Sequence, residues 1–222
     1  MNPFVIIPAC NEEKTISQVI EGVREYTENI IVIDDGSNDS TYELARKSTQ
    51  NIQNAVVLRH NVNLGKGAAL KTGCQAAIQL GSEVIVLIDA DGQHSPADIP
   101  NLVKKLQEEK LDIVFGSRKI NREIPFVRFL GNRFLTKSIN FLSCVSITDT
   151  QSGFKAFRSE IYPKIAWTSS DYRAETEMII NVGKNNLKYG QTPIQTIYKN
   201  AHKGATIIDG IKIFFNLLKW KL

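Results

Sequence analysis

Two aspartates one residue apart, Asp89 and Asp91, follow directly on the apolar run Val84-Ile85-Val86-Leu87-Ile88. Carboxylates at that spacing, beside a glycine turn, are hard oxygen ligands suited to Mg²⁺ or Mn²⁺ carrying a substrate phosphate. A second acidic pair, Asp34-Asp35, ends another apolar run, Ile30 to Ile33. Four carboxylates gathered at one edge repel each other, which is tolerable only with a cation or a hydroxyl-rich ligand among them. Helix capping explains part of the pattern. Ser95-Pro96 reads as a cap with proline at the first helical position, and Asp39-Ser40 as capping residues before a helix near Thr41. Capping leaves Asp91 and the Asp34-Asp35 pair unexplained.

These acids need strands that end at a common edge. The run from Val84 is short and lacks alternation, so it reads as a strand buried on both faces at the centre of a parallel sheet. Strands are expected at Phe4 to Ile7, Ile30 to Ile33, Ala55 to Arg59 and Asp112 to Gly116. Helices are expected after Glu13, from Thr41, over Ala68 to Gln79 and over Ala97 to Glu108. Such alternation specifies a doubly wound, mostly parallel α/β sheet, whose carboxyl edge is the usual ligand site. Three edge loops carry polar residues: Asn11 and Glu12, Asp34 and Asp35, and Asn63 to Gly67. Lys66 between two glycines is not a phosphate-binding P-loop lysine, because Ala68 stands where the hydroxyl belongs. No G-x-G-x-x-G follows the first strand, which disfavours a dinucleotide redox enzyme.

At 222 residues and 42% hydrophobic, the chain can bury a full core as one domain. The net charge of +4 is too small to indicate nucleic acid. Cys10, Cys74 and Cys144 are scattered through apolar contexts, which suggests neither disulfides nor zinc and fits a reducing cytosol. No signal peptide and no spanning helix is expected, so any membrane contact is peripheral.

Five motifs together resemble the family-2 glycosyltransferases: Ile-Pro-Ala-Cys-Asn-Glu-Glu at 7–13, Ile-Asp-Asp-Gly-Ser-Asn-Asp at 33–39, Asn-Leu-Gly-Lys-Gly at 63–67, Asp-Ala-Asp-Gly-Gln at 89–93 and Asp-Thr-Gln-Ser-Gly-Phe-Lys at 149–155. The branch they look most like is dolichyl-phosphate mannose synthase and its polyprenyl-phosphate relatives. The resemblance runs from Pro3 to about Leu187 and implies the GT-A nucleotide-sugar-binding fold, to which the residues past it are expected to add C-terminal amphipathic helices. It implies that Pro8, Cys10, Glu12, Ile33 and Asp35 frame the nucleoside, and that Asp89, Asp91 and Gln93 hold metal and diphosphate. Lys66, Ala90 and Lys203 belong to the same expected nucleotide-sugar contacts, and Arg118 matches the arginine on the donor diphosphate. Asp149, Gln151 and Glu175 are expected near the sugar and acceptor phosphate. Asp89, Asp91, Arg118 and Gln151 form the expected catalytic set.

Loss of the nucleotide requires neutralising the leaving diphosphate, which a divalent ion and Arg118 can do. A phosphomonoester acceptor is already largely anionic, its second pKa being near about 6, so no dedicated base is required. No Gln-x-x-Arg-Trp motif is present, which argues for transfer of a single sugar; by resemblance the transfer inverts the anomeric carbon. GDP-mannose is the expected donor, with UDP-glucose or another UDP-sugar as the alternative, as is a glycan acceptor in place of dolichyl or polyprenyl phosphate.

Phe126 to Val145 interleaves Phe129, Leu130, Phe134, Ile139 and Phe141 with Arg128, Arg133 and Lys137. Such a segment suits a membrane interface, and a core helix or dimer interface equally by periodicity. The resemblance favours lipid, with Arg128 and Arg133 receiving the acceptor phosphate. Ile207 to Leu222 is a second amphipathic segment. His94 and His202 read as surface histidines in solvated loops. The expected organisation is one catalytic domain: 1–118 for the nucleotide sugar, 119–200 for the acceptor, 205–222 amphipathic. It would sit peripherally on the cytoplasmic membrane face, with a membrane-anchoring partner or a second copy as possible companions. A soluble nucleotidyltransferase would need a basic, Gly-rich loop after the first strand, and a non-enzymatic membrane module gives no reason for the four acids.

Overall fold

The computed structural model describes residues 3–118, 136–141 and 143–197. Arg128, Arg133, His202, Lys203 and the amphipathic stretch 205–222 lie outside the described residues.

Apolar β-branched runs become strands and amphipathic segments pack over them. The strands are β1 (Phe4–Ala9), β2 (Ile30–Asp35), β3 (Val56–His60), β4 (Val84–Leu87), β5 (Ile113–Arg118), β6 (Lys155–Arg158) and β7 (Tyr189–Ile194). The longer helices are α1 (Ile16–Arg24), α2 (Thr41–Thr49), α3 (Lys66–Gln79), α4 (Ile99–Glu108) and α5 (Arg173–Lys184). One sheet runs in the order β3-β2-β1-β4-β6-β5-β7. Every pairing is parallel except those of β6, which runs antiparallel to both β4 and β5.

The periodicity places the first five strands and the helices between them within a few residues. It gives no strand beyond Gly116, and two are present. In β6 the run Lys155-Ala156-Phe157-Arg158 is only four residues with charged ends, too short to show a pattern. Strand β7 contains Gly190 and Pro193, residues that disfavour an interior strand but suit the sheet edge that β7 occupies.

The antiparallel entry of β6 matters for the site. Leu87, the last residue of β4, pairs with Lys155, the first of β6. A parallel strand would bring its outgoing loop to that edge; an antiparallel one brings its incoming loop. Residues 149–154 are thereby delivered beside Asp89.

Two apolar cores lie on the two faces of the sheet. One contains Ile6, Ile33, Leu70, Phe115, Phe157 and Met178; the other contains Val5, Ile20, Val32, Val86, Leu106 and Phe154. Strands buried on both sides therefore read as continuous apolar runs.

Candidate active site

The loops after β1 and β2 are laced together by their own polar groups. Asn11, in the left-handed region at φ 54°, donates its N–H to Ser37 Oγ at 2.9 Å, and Asn38 N–H returns to Asn11 Oδ1 at 2.9 Å. Glu12 N–H donates to Thr41 Oγ1 at 2.8 Å. Of the two expected capping residues, Asp39 accepts from Thr41 N–H at 3.0 Å, whereas Ser40, at the N-cap itself, makes no side-chain cap hydrogen bond. Ser95 departs from expectation: its side chain makes no cap hydrogen bond, and a short 3₁₀ turn, Pro96–Asp98, precedes α4.

Asp34, Asp35 and Asp89 each have cationic or polar partners of their own. Asp34 is fully buried and its Oδ2 lies 3.0 Å from Arg59 Nε. Asp35 accepts from Leu64 N–H at 3.0 Å and Gly65 N–H at 2.8 Å, and its Oδ1 lies 2.7 Å from His60 Nδ1. His60 Nε2 in turn contacts Thr72 Oγ1 at 3.0 Å. Asp35 thus ties the Asn63–Gly67 loop to the end of β2. Beside it, Asn63 Nδ2 donates to Cys10 Sγ at 3.1 Å, while burial pushes the Cys10 thiol up despite that bond. The side chain of Ile33 is in the core beneath Gly73 of α3, and Ala90 is buried in the opposite core.

At the carboxyl end of β4 the charges form a connected group. Lys66 Nζ lies 2.7 Å from Asp89 Oδ1 and 2.8 Å from Glu175 Oε1. Glu175 comes from the first turn of α5, so this contact joins two distant motifs. Lys155, 1% exposed, donates to the Ser152 carbonyl and stands 4.0 Å from the same Glu175 oxygen. Burial opposes ionisation of Asp89, but Lys66 and His94 outweigh it and hold the carboxyl well below its ordinary range. Burial and the charge of Asp89 push Asp91 the other way. Asp91 Oδ1 accepts from Gln93 N–H at 2.9 Å, closing a tight turn at Gly92, φ 68°.

His94 is a correction. The sequence reading puts it in a solvated loop; the structure buries it to 5% exposure, with Nε2 3.7 Å from Asp89 Oδ2 and its ring 5.4 Å from that of Phe154. A backbone bridge from His94 to Thr196, with Ile197 N–H donating to Gln93 O at 2.8 Å, covers it. Burial of His94 is not signalled locally, since the covering residues, Thr196 and Ile197, are distant in sequence.

Gly153 explains how the Asp149–Phe154 loop can sit here. A Cβ at that position would lie 2.3 Å from Asp89 Oδ2. Close approach to a carboxylate is what restricts this position to glycine. Arg118 and Asp149 form a forked pair, with Nε to Oδ2 at 2.6 Å and a terminal nitrogen to Oδ1 at 2.9 Å. Burial of Asp149 disfavours its charge, yet the Arg118 bonds hold its carboxyl below the usual range. Gln151 N–H donates to Asp149 Oδ1 at 3.1 Å. Glu177, the second acid of α5, is used structurally: it accepts from the backbone N–H groups of Thr168 and Ser169.

Sequence reasoning passes over His60 and Lys155. His60 had a signal: it ends β3 as Asp35 ends β2, and strand register sets them opposite. Among the described residues no group of three or more His, Cys, Asp or Glu side chains is assembled to hold a metal ion, and no helix is long and apolar enough to cross a membrane.

A mostly parallel sheet with one antiparallel strand and an acidic turn at its carboxyl edge is the GT-A glycosyltransferase architecture. The sequence pattern of glycosyl transferase family 2 matches residues 4–166, and the chain belongs to that family. It is 35% identical, over 99% of its length and 96% of the other, to a UDP-N-acetylglucosamine–dolichyl-phosphate N-acetylglucosaminyltransferase of Methanococcus voltae. It is 28% identical, over 98% and 86%, to the polyprenol monophosphomannose synthase of Mycolicibacterium smegmatis. Its fold matches glucosyl-3-phosphoglycerate synthase from Mycobacterium tuberculosis, crystallised with Mn²⁺, UDP and phosphoglyceric acid: TM-score 0.73 at 20% identity, covering 99% of this chain and 78% of that one. At that identity the likeness speaks for the fold alone.

Proposed function

We propose that this family-2 glycosyltransferase moves one hexose, with inversion, from a nucleotide-diphosphate sugar to a polyprenyl phosphate at the cytoplasmic face of a membrane. The observation that carries the reading is the meeting of Gly153 with Asp89. It sets the loop expected to face the acceptor directly against the acid expected to face the donor, as a direct transfer requires. The full-length likeness to the Methanococcus voltae enzyme supports the lipid-phosphate acceptor.

The donor set fits a divalent ion. Asp89 and Asp91 flank a single residue at the carboxyl end of β4, before the tight turn at Gly92, and offer hard carboxylate oxygens of the kind such ions take. Asp89, Asp91 and Gln93 would hold Mg²⁺ or Mn²⁺, and the ion would supply Lewis-acid neutralisation of the leaving diphosphate. Arg118, oriented by its fork to Asp149, supplies a planar donor to the same charge. Asp149 therefore acts through Arg118 and not on the acceptor. Cys10, Glu12, Pro8 and the loop that Asp35 anchors frame the nucleoside. A phosphate acceptor brings its own negative charge, so the residues need only position it.

The described end of the amphipathic segment buries Ile139 in the core and leaves Phe141 78% exposed. That supports contact with a lipid surface through this side of the molecule. GDP-mannose is the donor expected from sequence. The name of the Methanococcus voltae relative favours a second reading, UDP-N-acetylglucosamine.

The test offers radiolabelled GDP-mannose, UDP-N-acetylglucosamine and UDP-glucose to a short polyprenyl phosphate, with Mg²⁺, Mn²⁺ or chelator, and with Asp91→Ala as control. Metal-dependent labelling of lipid from one donor, lost in the variant, is the expected result. Consumption of a donor only with a glycan acceptor would overturn the acceptor assignment.

A further inference from the structure

The charges at Asp89 already balance without an added ion. Asp89 and Glu175 supply two negative groups, Lys66 and Lys155 two positive ones, all linked within 4.0 Å contacts. A divalent ion placed on Asp89 and Asp91 would therefore arrive where an ammonium group sits, 2.7 Å from an Asp89 oxygen. Two cations on one carboxylate at that range repel strongly in a partly buried site.

We propose that Lys66 is a stand-in cation for Asp89, displaced when the ion binds, and that Glu175 retains the displaced ammonium. This rests on the reading that Asp89 and Asp91 hold the ion. The backbone of Lys66 is fixed: Ala68 N–H donates to Ser170 O at 3.1 Å, and a Cβ on Gly67 would lie 2.4 Å from Ser169 O. Only the side chain can move. That side chain is 18% exposed, and its Nζ lies 5.6 Å from the centre of the half-exposed Tyr172 ring. A swing about Glu175 Oε1 releases Asp89 while one ion pair survives.

The device has a functional consequence. Without donor, the ion competes against a resident ammonium and binds weakly. A nucleotide diphosphate brings negative charge that pairs with both the ion and the freed ammonium, so ion and donor bind cooperatively. Glu175 is then a positioning residue for Lys66 and not an acceptor contact.

The test is Mn²⁺ binding to the donor-free full chain, followed by electron paramagnetic resonance titration, in the natural protein, Lys66→Met, Glu175→Gln, the double variant K66M/E175Q and Asp91→Ala. K66M is expected to bind Mn²⁺ about tenfold tighter, since a change of about 1.4 kcal/mol suffices. E175Q is expected to bind it more weakly by a similar factor, because both ammonium groups then face Asp89 alone. A general loosening of the site would weaken both, and a bare change of local charge, though it too gives opposite signs, would cancel in the double variant. The double variant removes one buried cation and one buried anion together, so it keeps the balance of charge should K66M not fold. It too is expected to bind tighter than the natural protein. Asp91-dependent binding that is unchanged or weaker in both K66M and the double variant would overturn the proposal. Absence of Asp91-dependent binding in every protein would overturn the metal reading itself, and the proposal with it.

Discussion

A methyl group on Gly153 would collide with the carboxylate of Asp89, at 2.3 Å from Oδ2. Gly153→Ala should therefore push the Asp149–Phe154 loop off the site. We expect sugar transfer to fall by two orders of magnitude or more while stability drops by about 1–3 kcal/mol, the usual cost of overpacking. Steady-state transfer assays and urea unfolding check this together. Retention of full activity would mean that the loop is not held against Asp89 during turnover.

Asp91 is a charge held against its surroundings. Burial and the neighbouring Asp89 raise its carboxyl, so in the metal-free protein its ionised form is a standing cost. Asp91→Asn keeps an oxygen for the Gln93 N–H and removes the charge. The variant should melt higher than the natural protein in chelator, by a few degrees, and be inactive in transfer. A lower melting temperature in chelator would contradict the repulsion.

The Arg118–Asp149 fork should show in acid. The folded carboxyl of Asp149 titrates below its ordinary value, so its contribution is present above about pH 4 and is lost as pH falls toward the folded value. Asp149→Asn should cost roughly 2 kcal/mol at neutral pH, less than a fully buried pair because Arg118 is 30% exposed. It should also flatten the stability curve below about pH 4. Chemical denaturation at several pH values would show both effects. A double-mutant cycle with Arg118→Lys assigns the coupling.

His60 should behave as a loop anchor. His60→Phe leaves Asp35 Oδ1 without its side-chain partner, which should cost about 1–3 kcal/mol and raise the donor KM more than it lowers kcat. An unchanged donor KM would separate the Asn63–Gly67 loop from nucleotide binding.

Phe141 should contribute to lipid contact. Phe141→Glu replaces an apolar side chain that is 78% exposed with a charged one. Flotation with vesicles containing anionic lipid should fall severalfold. Equal flotation would place the membrane contact elsewhere.

The first half of the molecule was legible because β1, β2 and β4 are apolar on both faces and each helix shows one buried side. The acids at the strand ends announced the site for the same reason: carboxylates have no packing role at the end of a core strand. What stayed hidden depends on partners distant in sequence. Lys155 is fully buried only because Glu175 and the Ser152 carbonyl receive it. His94 is covered by Thr196 and Ile197, and neither position carries a local mark. The forked pair of Arg118 with Asp149 was read as two separate contacts, since a sequence shows charges but not which of them neutralise each other.

The position of β6 bears on how the chain can be made. Strands β4 and β5 are consecutive in sequence apart from α4, yet β6 lies between them and they do not pair with each other. During synthesis both emerge with an unpaired inner edge that waits for residues 155–158. Such edges are templates for aggregation, and closing them requires a long-range contact that is slow to form. A nascent chain stopped before Lys155 thus carries the acidic turn on the open edge of the β3-β2-β1-β4 sheet, without the strand that sets the 149–154 loop against Asp89. Completion of the fold and completion of the site are the same late event.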